Sequence, residues 1–199
     1  MDNSPVGDNF QSIDSEPQRN GDPAAGRDYL INGDYISSGI PYDLFTAAMG
    51  TDPENVLNRS GDNAVISPAF TAIDHANGAR VAAPNCLQCH GQKLMGQYII
   101  GLGNSFGDFT NNGASALPLL DAGIAAIYGA GSDEAEAFAR FRRGTAITGP
   151  RIITEVIGVN PADKLTQVLV AHRDARDLSW IDDAQFAYDD VVVPTDVPA

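Results

Sequence analysis

Apolar side chains recur at helical spacing near the C-terminal end of the chain. In residues 160–174 the inward positions follow one another at i, i+3, i+4 and i+7: Leu165, Val168, Leu169 and His172. Asn160 is a favourable N-cap, and Pro161 suits the first helical position. The pattern predicts an amphipathic helix whose His172 points inward.

A second helix is predicted by its end signals and its charges. Ser132 is the expected N-cap and Gly144 the expected end. Acidic residues fill its first turn and basic residues its last, as the helix dipole favours: Asp133, Glu134, Glu136, Arg140, Arg142 and Arg143. Its inward positions are expected to be Ala135, Phe138 and Ala139. Proline or glycine signals predict shorter helices over residues 41–50 and 119–128.

Strand signals are weaker than helix signals. Asn32-Gly33 separates two short apolar runs in residues 29–36 and predicts a small hairpin with a type I′ turn. The run Val81–Ala83 looks too weak to be a buried strand. Twenty glycines and 12 prolines in 199 residues favour a loop-rich chain. We therefore expect a mainly α fold of short helices and long loops, with one small hairpin.

The polarity of the chain changes at both ends. Residues 1–28 are polar and rich in Pro, Gly, Asp and Asn, which is typical of a disordered leader. Residues 189–199 end in a proline-rich extended segment that reads as a tail or linker. Residues 29–188 are long enough to form one domain with its own core.

The charge of the chain excludes some partners. The formal net charge of −14 repels the phosphates of nucleic acids and the headgroups of anionic lipids. No apolar run reaches the roughly 18 to 20 residues that span a bilayer, so we expect no membrane insertion. A basic redox protein or a neutral small molecule remains compatible with this charge.

The stretch "NCLQCHGQ" of residues 85–92 carries the clearest chemical signal. Cys86 and Cys89 could form a redox-active disulfide, but that motif usually opens a helix after a buried strand in a βαβ unit. They could hold a structural zinc, but such a site needs two more Cys or His ligands, commonly paired at short spacing, and the histidines outside the motif are His75 and His172. Both alternatives stay open at this point.

Covalent haem requires the residue types found here. Cys86 and Cys89 lie three apart on one turn and can reach the two vinyl groups of a porphyrin. His90 follows the second cysteine directly and reaches the iron as its proximal ligand. The motif therefore predicts one haem c with its iron. Thioether attachment takes place outside the cytoplasm, so we expect a periplasmic or extracellular protein whose signal peptide is not in this sequence.

The sixth iron ligand decides between an electron carrier and a catalyst. His172 is the preferred candidate for this ligand or for a distal-pocket residue, because it faces inward far from the motif. A core histidine bonded to a backbone carbonyl is the alternative. His75 and Met49 are weaker candidates, and Met95 is too close to His90 to pass around the porphyrin rim. An open iron is also compatible with the sequence.

Several stretches resemble one family. Residues 28–45 ("DYLINGDYISSGIPYDLF"), 85–110, 171–180 ("AHRDARDLSW") and 193–198 ("VPTDVP") are similar to the N-terminal haem domain of bacterial di-haem c-type enzymes. These form the cytochrome c peroxidase superfamily, including its rubber-oxygenase branch. The resemblance implies a cytochrome c-like domain over residues 29–188, with His90 as proximal ligand. In that family a second C-x-x-C-H domain follows, whereas this chain holds one such motif.

Two functions follow from these expectations. The first is electron transfer through one covalent haem, with a redox partner protein or a second haem domain as the partner. The second is a peroxidase- or oxygenase-like oxidoreductase domain whose accessible iron reacts with peroxide or dioxygen. Such a domain could be a fragment of a di-haem enzyme. Because haem would supply much of the apolar surface, we also expect the apo-protein to be largely unfolded or molten.

Overall fold

The computed structural model describes residue 17 and residues 20–188 of the chain. This part contains six α-helices: α1 Pro23–Asn32, α2 Tyr42–Met49, α3 Leu87–His90, α4 Leu117–Ile127, α5 Asp133–Thr148 and α6 Ala162–Ala171. It contains five strands: β1 Ile40–Pro41, β2 Phe70–Asp74, β3 Arg80–Pro84, β4 Gly91–Leu94 and β5 Gln97–Ile100. Short 3₁₀ turns lie at Gly61–Val65 and Gly113–Ala116. None of the helices described is long and apolar enough to cross a membrane.

The expectation of a mainly α, cytochrome c-like fold is wrong, because the protein is a mixed α and β structure. Strands β1, β3 and β2 form an antiparallel sheet in that order, and β4 pairs with β5 in a second one. The run Val81–Ala83, which looked too weak, is the centre of the middle strand, and all three residues are buried. Small apolar residues without alternation suit a strand that is covered on both faces.

The hairpin expected over residues 29–36 is also absent, because helix α1 occupies Tyr29–Asn32. Asp22 caps this helix by accepting hydrogen bonds from the backbone N–H groups of Ala24 and Ala25, and Pro23 stands in its first turn. Gly33 then donates to the Tyr29 carbonyl and ends the helix. The Asn-Gly pair therefore acts as a helix stop. The helix begins at Pro23, inside the expected leader, while residues 1–16, 18–19 and the tail 189–199 lie outside the described residues.

A hairpin of the expected type occurs elsewhere, directly after the cysteine motif. Leu94 pairs with Gln97, so the loop between β4 and β5 has two residues, Met95 and Gly96. Both have positive φ, 49° and 83°, as a type I′ turn requires. Gly96 adopts this conformation freely, whereas Met95 is strained in it.

The longer helices lie where their sequence signals place them, with shifted ends. Ser132 caps α5 as predicted by accepting from the Ala135 N–H. The helix passes through Gly144, its predicted end, and continues to Thr148. One glycine inside a helix costs only about 1 kcal/mol, which the packing of a long helix outweighs. The buried residues of α5 are Ala137 and Phe138, so the prediction is right for Phe138 and wrong for Ala139, which is exposed.

The core lies between the three-stranded sheet and helices α2, α4 and α5. Its three clusters of buried apolar residues contain Ile73, Ala79, Val81, Ala83 and Ala137; Phe45, Ile66, Ala72 and Ala82; and Leu117, Ile124 and Phe138. None of these clusters includes a residue of the cysteine motif. The motif therefore sits at the edge of a core that other elements build.

Candidate functional site

The cysteine motif forms a single helical turn at the end of the middle strand. Strand β3 ends at Pro84, and Cys86 is the N-cap of α3, the turn Leu87–His90. The Cys86 carbonyl accepts from the N–H groups of Cys89 at 3.3 Å and His90 at 3.0 Å. These bonds hold the two cysteines and the histidine on one turn, as the spacing predicts.

The two sides of this turn differ sharply in exposure. Leu87 is only 1% exposed and anchors the turn to the protein interior. Cys86 and His90 are exposed, Cys89 is half-buried, and both cysteines are free thiols. In a helical turn, residues i, i+3 and i+4 share one face. The three reactive side chains therefore face outward together while the apolar residue between them faces inward.

Asn85 fixes the start of the turn and was missed by sequence reasoning. Its side-chain oxygen accepts from the Leu87 N–H at 2.9 Å. Its amide nitrogen donates to the Pro68 carbonyl at 3.0 Å and to the Thr71 hydroxyl at 2.9 Å. Asn85 is buried, and these bonds tie the turn to the strand β2 region. An Asn just before a helix is a capping signal, and it could have identified Asn85 from the sequence.

The loop after β5 closes the other end of the turn. Gly101 donates its N–H to the His90 carbonyl at 2.8 Å, and Asn104 donates its N–H to the Cys89 carbonyl at 2.9 Å. The Asn104 side chain also donates to the Gln88 carbonyl at 2.9 Å. These are the carbonyls that a helix end leaves without intrahelical partners. The turn is thus held at both ends by asparagines, which leaves its outward face free.

Two tyrosines stand beside the first cysteine. The Tyr35 hydroxyl donates to the Tyr29 carbonyl at 3.1 Å and lies beside the Cys86 thiol. Burial, together with the neighbouring thiol, raises the pKa of Tyr35. The rings of Tyr29 and Tyr35 meet edge to face with centroids 5.2 Å apart. Sequence reasoning missed this neighbour because helix α1 was read as a hairpin.

The structure weighs against a redox-active dithiol. Burial, and secondly the neighbouring Cys86, raises the pKa of the Cys89 thiol. A dithiol catalyst needs a lowered pKa only at its attacking thiol, so it is the helix and its surroundings that weigh against a redox pair. Helix α3 is a single turn next to an antiparallel sheet, whereas such catalysts place the motif at the start of a longer helix in a βαβ unit.

The described part of the chain holds no set of ligands for a structural zinc. No three side chains of His, Cys, Asp or Glu within residues 20–188 come close enough to hold a metal ion. A structural zinc needs four such ligands. Haem iron is held mainly by its porphyrin and needs one protein ligand on the proximal side. The missing ligand group therefore argues against zinc and does not test haem.

His172 is buried as the helical pattern predicts, but its ring is already engaged. It is 2% exposed, and its Nδ1 donates to the Ile181 carbonyl at 2.9 Å. Its Nε2 then accepts from the Tyr188 hydroxyl, also at 2.9 Å. The ring stacks on Trp180 with centroids 5.1 Å apart. This is the arrangement of a core histidine, and binding to iron would require breaking the bond to Tyr188. Its ligation stays a prediction.

The other candidate ligands lie at separate places in the fold. His75 is in the turn between β2 and β3, where its N–H donates to Ala79. That turn is at the opposite end of β3 from Cys86, a separation of roughly 14 Å along the strand. Met49 ends helix α2 and is largely exposed, and Met95 is 96% exposed at its hairpin tip.

The residues of the turn fit covalent haem attachment. Two thiols and an imidazole face outward from one turn, and apolar side chains near it on the chain are exposed: Leu94, Ile99 and Phe106. Cys86 and Cys89 would hold the porphyrin and His90 would bind the iron, which supplies one-electron chemistry. Comparisons with protein-family models, with curated proteins and with solved structures found no match. The resemblance to di-haem enzymes therefore stays a prediction from the motifs.

Proposed function

We propose that this protein carries one covalently bound haem c and transfers electrons to a partner protein. Cys86 and Cys89 form the thioethers, and His90 is the proximal ligand. The observation that carries the proposal is the geometry of the turn: Cys86 and His90 are exposed, Cys89 is half-buried on the same side, and Leu87 is buried. A periplasmic or extracellular location belongs to this proposal, because thioether attachment occurs there.

Attachment of the haem needs no reactant other than the two thiols and the two vinyl groups. Each thiol adds across one vinyl C=C bond, so that sulfur bonds to the inner carbon and the thiol hydrogen passes to the terminal carbon. No atom leaves, and the iron porphyrin is retained whole. Both thiols are free, as this addition needs; Cys86 is exposed and Cys89 is half-buried.

The spectrum of the pyridine haemochrome tests the attachment. Saturating a vinyl group moves the α band to shorter wavelength, so the wild-type protein from an export-competent host should show the band of a haem with two thioethers. Cys86→Ala and Cys89→Ala should each show the band of one thioether. Gln88→Ala, on the same turn, is the matched control and should resemble the wild type. Haem extracted by acidic acetone from the wild type would contradict the proposal.

A second candidate function is favoured by the hydrogen bonds of His172. Because both ring nitrogens have protein partners, the preferred sixth ligand is engaged elsewhere. An iron without a protein ligand on its distal face would accept peroxide or dioxygen, as in a peroxidase- or oxygenase-like domain. Such a domain could work alone or with a second haem domain.

Ligand binding separates the two candidates. An electron carrier with two axial ligands is low-spin and binds cyanide or carbon monoxide slowly. An open iron shows high-spin bands and binds either ligand rapidly. His172→Ala should leave the spin state unchanged if this residue belongs to the core. A change from low-spin to high-spin in that variant would identify His172 as the sixth ligand.

A further inference from the structure

The segment before β1 runs alongside the segment that leads into the cysteine motif. Ile40 pairs with Ala82 and Pro41 with Val81 in an antiparallel register. Tyr35 precedes Ile40 by five residues and Cys86 follows Ala82 by four, and the side chains of Tyr35 and Cys86 lie beside each other. Gly39 shows how close the two backbones are, because a Cβ atom there would lie 2.3 Å from the Ala82 carbonyl oxygen.

This course of the backbone places Tyr35 at the first cysteine and holds it there. Asp34 organises the preceding turn, since its carboxylate accepts from the N–H groups of Ile36 at 3.0 Å and Ser37 at 2.6 Å. The Tyr35 hydroxyl donates to the Tyr29 carbonyl, and the Tyr29 hydroxyl donates to the Asp34 carbonyl at 2.9 Å. The two rings are therefore locked to each other by reciprocal bonds.

Both rings are nevertheless open to solvent on one side. Tyr29 is 56% exposed and Tyr35 is 37% exposed. An ordered pair of exposed aromatic rings beside an exposed thiol is a surface to which a flat apolar group can pack. A thioether at Cys86 would put a porphyrin carbon one covalent bond from the sulfur atom. A tyrosine whose hydroxyl lies beside that sulfur would then lie beside the edge of the porphyrin.

We propose that the Tyr29–Tyr35 pair forms one wall of the haem site, with Tyr35 packed against the porphyrin edge at Cys86 and Tyr29 supporting it. Tyr35 is a positioning residue that shields this edge from water. The inference rests on the proposed haem attachment and adds the residues that cover it. Water at a haem edge stabilises the more highly charged oxidised iron, so the wall raises the reduction potential.

The test compares four purified holo-proteins: wild type, Tyr35→Phe, Tyr35→Ser and Tyr29→Ser. Covalent haem content is measured first by the mass of the denatured protein. The reduction potential and the circular dichroism of the Soret band, which senses neighbouring aromatic rings, are then measured. Tyr128→Ser is the control, because Tyr128 borders a cavity with Pro41 and Arg80 at the far end of β3.

We expect Tyr35→Ser to lower the reduction potential and to change the Soret dichroism, with one haem still attached. Tyr29→Ser should shift both in the same direction by less, and Tyr35→Phe should restore most of the wild-type signal because it keeps the ring. A wild type without covalent haem would overturn both the proposed function and this inference. A wild type with haem whose Tyr35→Ser and Tyr29→Ser variants match Tyr128→Ser would overturn the inference alone.

Discussion

Asn85 shows how much a single side chain outside the motif contributes to the candidate site. It joins the Leu87 N–H, the Pro68 carbonyl and the Thr71 hydroxyl from a buried position. Removing its amide leaves buried groups without partners, which costs about 1 to 3 kcal/mol for such a group. The turn that presents the cysteines depends on these bonds.

We therefore expect Asn85→Ala to lower the free energy of unfolding by about 2 kcal/mol and to reduce the fraction of protein that acquires haem. Urea unfolding and the ratio of Soret to protein absorbance measure the two effects. Asn111→Ala is the matched control, since Asn111 is exposed and makes one long side-chain bond to its neighbour Thr110. Equal stability of the two variants would show that Asn85 does not hold the turn.

At this scale the sequence predicts the reactive residues better than their supports. Cys86, Cys89 and His90 could be identified because their spacing alone brings them to one turn. The inward position of His172 could also be predicted from helical periodicity, and its burial is confirmed. Its partners Ile181 and Tyr188 could not, because they arrive from a segment that folds back onto the helix. Asn104 was missed because it too arrives from a later segment that folds back.

Among the elements, the joint between β1 and α5 depends on Ser38, which precedes the strand and is completely buried. Its hydroxyl donates to the Ala137 carbonyl at 2.5 Å and accepts from the Phe141 N–H at 2.8 Å. These two backbone groups would otherwise bond to each other as residues i and i+4 of the helix. Ser38 therefore inserts into the hydrogen-bond ladder of α5.

Ser38→Ala should destabilise the protein by about 1 to 3 kcal/mol, because the Phe141 N–H loses its partner and the buried Ala137 carbonyl keeps only the long bond from the Gly39 N–H. The change should appear as a lower urea midpoint with an unchanged dependence of the unfolding free energy on urea. Ser115→Ala, which removes an exposed hydroxyl bonded to one carbonyl, should have little effect. Similar midpoints for both variants would mean that the Phe141 N–H bonds to the Ala137 carbonyl when the Ser38 hydroxyl is removed, with no loss of stability.

The hairpin between β4 and β5 offers a substitution that should stabilise. Met95 holds a left-handed conformation at the first turn position, where Asn is strongly preferred. Relief of this strain in Met95→Asn should raise the unfolding free energy by about 1 kcal/mol. Met49→Asn is the control, since Met49 is an exposed residue at the end of a right-handed helix. A loss of stability in Met95→Asn would mean that the methionine side chain makes contacts that outweigh the strain.

Helices were easier to predict than strands for a physical reason. A period near four repeats over several turns in α5 and α6, and in α5 the cap and the charges agree with it. The cap predicted at Asn160 was wrong, because α6 begins at Ala162 with Pro161 in the cap position. The strands have two to five residues and are partly made of small apolar residues, which gives no alternation to detect. The Asn32-Gly33 pair is compatible with both a hairpin turn and a helix end, and only the Asp22 cap upstream decides between them.

For the whole molecule, the position of the core changes the expectation for the apo-protein. The three apolar clusters are built by the sheet and by α2, α4 and α5, and they do not contain the motif. We therefore expect this core to fold without haem. Sequence reasoning expected the reverse because it foresaw no sheet.

The double variant Cys86→Ser, Cys89→Ser should accordingly retain its far-ultraviolet circular dichroism and unfold in one cooperative thermal transition. Its midpoint should lie below that of the holo-protein, because a group that binds only the folded state stabilises it. Differential scanning calorimetry of the two proteins measures this difference. A molten apo-protein, which binds a hydrophobic dye and shows no transition, would restore the expectation of a haem-dependent core.

The mass of the denatured protein shows whether haem is covalently bound. Expressed with an export signal in a host that attaches haem to exported proteins, the wild type should weigh one whole haem more than its polypeptide, since thioether formation loses no atom. Gln88→Ala should show the same added mass, and the double cysteine variant should show none. A wild-type mass equal to that of the bare polypeptide, from a host that matures a known c-type cytochrome in the same culture, would contradict the central claim.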